Sequence, residues 1–123
     1  MDVTGATDLA CFGWSARAWA RPWRAFVRAH PGLRVRDALE VGAGPRSSLV
    51  PLLLPLAERV ECSAFDATTL PAVQALNASR LGAGEQARVR YTRQDVRALR
   101  GRWDLIVLKS VLGGVHRVHD SAL

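Results

Sequence analysis

The sequence predicts an α/β domain: a parallel sheet with helices on its flanks. Three observations lead there. Short apolar segments alternate with helix-period segments along most of the chain. One of them, ending at Val41, breaks into a glycine turn, Gly42-Ala-Gly-Pro-Arg-Ser-Ser, and a helix start. Another, Trp103 to Leu108, is almost continuously apolar, as strands buried on both faces are. Strands alternating with helices at this spacing build a parallel sheet through right-handed crossovers.

The elements follow in order. Residues 1 to 11 are small and polar and read as loose. Phe12 to His30 is helical in period, with Trp19, Trp23, Phe26 and Val27 on one face and arginines mostly elsewhere. Such a stripe is read as a core-covering face rather than a lid over a ligand. Pro22 should split this segment in two or start its second half, and Pro31-Gly32 stops it. Residues 33 to 41 form the first strand. A helix from Ser48 toward Arg59 follows, with Ser48 as its cap, Pro51 in the first turn and Pro55 shortening or kinking it. Arg59 to Phe65 is the second strand. Thr68 or Thr69 caps a helix that runs through Val73 and Leu76 to Gly82 or Gly84. Arg88 to Tyr91 is a third strand. A turn at Gln94-Asp95-Val96 leads into a short basic helix ending at Arg100, and Trp103 to Leu108 is the fourth strand.

Composition bounds the rest. At 123 residues, 49% hydrophobic and 23% charged, the chain is one globular domain at most. A net charge of +6 admits a nucleic-acid partner. Lys109 is the only lysine, however, and the arginines are scattered through an alanine-rich chain, so a nucleic-acid surface is not expected. Cys11 and Cys62 form neither a metal-type spacing nor a disulfide framework. The first residues lack a signal-peptide pattern. The longest apolar run, 49 to 57, is too short to span a bilayer. A cytoplasmic protein with reduced thiols, no membrane contact and no metal is the expectation.

Residues 37 to 48 carry the clearest chemistry. A strand, a glycine loop and a helix start together make a nucleotide pocket, because backbone N–H groups and the helix dipole face the loop. Gly42 and Gly44 are read as supplying positive φ and close approach. A dinucleotide fingerprint would need glycine at position 47, which is Ser47 here, and that argues against an oxidoreductase.

Over about residues 33 to 115 the chain resembles the class I S-adenosylmethionine-dependent methyltransferases. Four segments carry the resemblance in the family's order: ALEVGAGPRSS, RVECSAFD, RQDVRAL and WDLIVLKSVLGGV. The resemblance implies a Rossmann-like sheet in the order 3-2-1-4, with S-adenosylmethionine as cofactor. It implies that Gly42, Ala43 and Gly44 admit the methionine part, while Glu40 orients the loop or meets the amino group through water. Asp66 would accept from the ribose hydroxyls. Asp95 would accept from the adenine amine, with Val96 against the ring. Lys109 and Ser110 would end the fourth strand in the crevice. Three positions depart from the pattern: Arg46 stands at the third glycine, Asp66 lies just past the customary acid, and Gly113-Gly114 replaces bulkier residues.

Members of this family continue with three more strands. The chain is therefore expected to be the N-terminal portion of a methyltransferase: an N-terminal helical segment at 1–32 and a partial cofactor-binding domain at 33–123. The fourth strand would then be an edge open to self-association. Catalysis would rest on proximity and in-line orientation. No catalytic residue is assigned. His116 and His119 are the late candidates for a base, and both read better as surface histidines. The acceptor is expected to be a small molecule. Two other classes stay open: a catalytically inactive remnant or interaction module of the same fold, and an arginine-rich nucleic-acid binder.

Overall fold

The computed structural model describes residues 16–108, with side chains from Ala20 onward. Helix α1, Ala16–Ala29, runs through Pro22 without a break. The expected split does not occur. Pro22 is exposed, and its one lost N–H bond is outweighed by the burial of Ala20 and Trp23 in the same helix. Phe26 and Val27 pack beside them, so the stripe covers core. Gly32, at φ 77°, turns the chain out of the helix.

Strand β1, Val35–Val41, leads into the glycine loop and then into α2, Val50–Leu53, only four residues long. The expected longer helix stops before Pro55. The residues beyond it go instead to β2, Ala57–Ala64, which begins two residues earlier than expected. Leu56 and Ala57 are buried there, and Leu56 accepts a bond from the N–H of Val35 at 2.7 Å. A 3-10 turn at Ala67–Thr69 opens helix α3, Leu70–Ala78. A one-turn helix α4, Ala83–Gln86, precedes β3, Val89–Arg93. The short basic helix expected before Arg100 is a turn, closed by the Ala98 N–H on the Asp95 carbonyl at 2.9 Å. Strand β4 is Leu105–Leu108.

The sheet is wholly parallel, in the order β3-β2-β1-β4. Register puts Ala38, Val60, Val89 and Leu105 on one face with Cys62, Tyr91 and Val107. That face forms a single apolar cluster with α1, α2 and Val73 of α3. The other face carries Glu61, Arg90 and Thr92. Glu61 is 5% exposed and accepts from Arg90, Thr92, Gln94 and Trp103. Burial pushes its carboxyl up, but the bonds from Gln94, Arg90 and Thr92 outweigh burial and hold it below its ordinary value. Two-sided burial of β4 does not hold among the described residues: Ile106 is 41% exposed, and the strand lies at the sheet edge.

Candidate cofactor site

In a parallel sheet the carboxyl ends of all strands share one edge, and a crevice at that edge is where such folds take ligands. Glu40, Gly42, Ala43 and Gly44 end β1 on this edge. Asp66 follows β2, and Asp95 and Val96 follow β3. Lys109, Ser110, Gly113, Gly114, His116 and His119 lie outside the described residues.

The β1 end is built around Glu40, which is 3% exposed. Its Oε1 accepts from the Ser48 hydroxyl at 2.8 Å, and its Oε2 from the Leu49 N–H at 2.8 Å. The cap position falls on Leu49, without a side-chain cap bond, while the Ser48 hydroxyl one residue earlier still accepts from the Val50 N–H at 3.4 Å. The Ser48 hydroxyl also accepts from Asn77 of α3 at 3.0 Å. Register sets Cys62 directly beside Glu40, and its Sγ lies 3.5 Å from Oε1. Burial first, then the neighbouring carboxyl, pushes the Cys62 thiol far up, so it stays protonated and unreactive.

The loop itself is a tight turn. Gly44 and Ser47 exchange both backbone bonds, 2.9 and 3.1 Å, with Pro45 and Arg46 at the tip. Pro45 suits the second position of such a turn. Gly42 has φ 82°, as its type predicts. Gly44 lies outside the positive-φ region, so only one of the two glycines expected at positive φ is found there. A Cβ built on Gly44 would meet nothing within 4 Å. The Ala43 N–H is spent on the Ser63 carbonyl at 2.9 Å. The loop N–H groups expected to face a ligand are therefore partly consumed: those of Ala43, Gly44 and Ser47 bond within the protein.

The β2 end is exposed and the β3 end partly so. Asp66 caps the 3-10 turn, its Oδ1 accepting from the Thr68 N–H at 2.9 Å and hydroxyl at 2.8 Å. Those two bonds, with the charge of Arg93 adding, hold its carboxyl below the ordinary value. Asp95 is clamped by Arg97, whose Nε and Nη2 lie 3.0 and 2.8 Å from its two oxygens, while the Arg97 N–H adds a bond of 2.9 Å. The guanidinium first, then the N–H, takes the Asp95 carboxyl down to about 2. Phe65, next to Asp66, is 53% exposed, with the guanidinium carbons of Arg93 and Arg97 at 5.4 and 5.8 Å from its ring centre. Sequence reasoning missed Arg97 and the Ser48–Glu40–Cys62 contact. The Asp-x-Arg spacing signalled the first. Nothing local signals the second, which depends on strand register.

No protein-family profile and no curated protein sequence matches the chain. Solved structures do. Magnesium protoporphyrin IX methyltransferase from Synechocystis PCC 6803, with bound SAH, aligns at TM-score 0.61 and 19% identity over 88% of this chain and 48% of that one. The glycopeptide N-methyltransferase MtfA, complexed with S-adenosyl-L-methionine, aligns at 0.58 and 20% over 78% and 41%. Phosphoethanolamine N-methyltransferase 1 of Haemonchus contortus aligns at 0.53 and 22% over 80% and 20%. The chain thus has the Rossmann-like α/β fold of S-adenosylmethionine-dependent methyltransferases, in the sheet order 3-2-1-4, and spans less than half the length of each of these.

Room and acceptor capacity for a ligand remain at the carboxyl edge. Open space lies beyond Gly44. A carboxylate offers about four lone-pair sites. Asp66 spends only Oδ1 on Thr68, and Asp95 retains capacity on Oδ2 beside Arg97. Among the described residues no group of three His, Cys, Asp or Glu side chains could hold a metal, and no helix is long and apolar enough to cross a membrane.

Proposed function

We propose that the chain binds S-adenosylmethionine along the carboxyl edge of β1, β2 and β3 and serves methyl transfer to a small-molecule acceptor in the cytoplasm. One observation carries this reading: a buried carboxyl at the end of β1 ties down Ser48 and Leu49, where the glycine loop ends, on the same sheet edge that presents Asp66 and Asp95. In this reading Gly42, Ala43 and Gly44 border the methionine part, Asp66 holds the ribose, and Asp95 and Val96 meet the adenine. Lys109 is placed at the crevice by the resemblance alone. The cofactor supplies an activated methyl group. The protein's part is to bind it and aim it. Calorimetry with S-adenosylhomocysteine tests this: saturable binding at micromolar to millimolar ligand is expected, and its absence from folded protein overturns the reading.

A second reading, a catalytically inactive module of the same fold, is favoured by the loop bonds that Ala43, Gly44 and Ser47 already make and by the Arg97 clamp on Asp95. It predicts a folded protein with no heat of S-adenosylhomocysteine binding. If that result came with a dimer in light scattering, the open edge of β4 would be its contact.

A further inference from the structure

The arginines look scattered in the sequence, but the parallel register gathers them. Strands that run the same way start on the same edge. Arg34 and Arg36 stand at the start of β1, Arg59 in the first half of β2, Arg88 and Arg90 at the start of β3, and Arg102 just before β4. A cavity of about 400 Å³ is lined by Arg59, Arg88, Arg90 and Arg102 with Asp37 and Glu61. Adjoining concavities carry Arg34 and Arg36 on one side, and Arg36 and Arg102 on the other.

Six arginines face four acids along this edge: Asp37, Glu58, Glu61 and Asp104. Depth decides what a ligand meets. The side chain of Glu61 is 5% exposed while its partner Arg90 is 75% exposed. Asp37 is 31% exposed against 59% for Arg59. Asp104 spends Oδ2 on the N–H groups of Arg36 and Asp37. Arg88 bonds the carbonyls of Leu54, Ala57 and Glu58 and has no ion pair among the described residues. Arg102 has no ion pair among the described residues. Two of the four acids, Asp37 and Glu61, thus lie lower than the arginines that pair with them, while Glu58 and Asp104 are exposed. Trp103 adds a ring on the cavity wall, its indole N–H held by Glu61 at 3.3 Å.

We propose that this amino-terminal edge docks a single-stranded stretch of nucleic acid. The cations are spread from Arg34 to Arg90 rather than focused on one point, which suits a polymeric phosphodiester better than a lone phosphate. The fixed indole offers a stacking surface to an unpaired base. The site lies at the end of the sheet opposite the crevice, so it does not depend on cofactor binding.

Anisotropy of a labelled single-stranded RNA 20-mer, and of the matching DNA, tests this across a salt series. With about three phosphates engaged at ~0.7 each, the slope of log affinity on log salt should lie near −2. Arg36→Glu with Arg102→Glu should weaken binding at least tenfold and flatten that slope. Arg21→Glu with Arg28→Glu, the same charge change on exposed positions of α1, should keep most of the affinity. Salt-independent or absent binding by the unaltered protein overturns the proposal, and so do equal losses in the two variants. A duplex bound as tightly as the single strand overturns the single-strand assignment.

Discussion

The loop after β1 and the loops after β2 and β3 sit on one edge of one sheet and are held by opposite means. Glu40 works from inside: its carboxyl, Ser48 and Cys62 are all buried. Asp66, Asp95 and Arg97 work from the surface, through turn bonds and an ion pair open to water. Buried polar contacts cost much to break, because the groups left behind stay dry. Exposed ion pairs cost little, because water replaces them. One side of the crevice is therefore preformed, while the other can rearrange around a ligand at small expense.

The contrast can be broken at its strongest point first. Glu40→Ala leaves the Ser48 hydroxyl and the Leu49 N–H without their acceptor and should cost about 3 kcal/mol in urea unfolding. In a Cys11→Ser background it should also speed maleimide labelling of Cys62. A loss under about 1 kcal/mol would mean that this carboxyl does not hold the loop. Gly42→Ala comes next. At φ 82° a side chain is strained, and a loss of about 1–2 kcal/mol is expected in the same assay. Gly44→Ala is the matched control: with positive-φ freedom not required and open space beyond, it should leave the melt unchanged while weakening S-adenosylhomocysteine binding.

The surface side should respond in pH rather than in midpoint. The folded carboxyl of Asp95 titrates at about 2, below the ordinary carboxylate value near 4. Its contribution to stability is thus present above about pH 4 and is lost as pH falls toward 2. Arg97→Ala should raise the Asp95 midpoint toward the usual range in a carboxyl NMR titration and lower the thermal melt at neutral pH by a small amount, since water largely replaces an ion pair open to solvent. An unshifted midpoint would mean that Arg97 does not clamp Asp95 in solution.

The sheet was legible because its signals are local. Alternation, glycine and proline placed each strand, and the resemblance supplied their order. The lengths of α2 and β2 were less legible, since the apolar run from Leu49 to Ala57 suits either element and only the backbone bond between Val35 and Leu56 decides it. Of the site, Gly42 and the positions of Asp66 and Asp95 could be read. Ser48 read as a cap because serine before an apolar run usually is one; here a carboxyl eight residues earlier draws its hydroxyl inward. The arginine edge escaped because it is a product of register, which no window of sequence contains.

The same amino-terminal edge bears on how the chain assembles. Each strand junction carries a side-chain tie there: Asp37 to Arg59 over 22 residues, Glu61 to Arg90 over 29, and Asp104 to the start of β1 over 67. Closing the longest loop costs about 1 kcal/mol more in chain entropy than closing the shortest. Strand β4, four residues long and paired on one side among the described residues, recovers the least for it. It should dock last in folding and leave first, so the amides of β4 should exchange with deuterium well before those of β2. Protection of β4 equal to that of β2 would instead make the sheet a single cooperative unit.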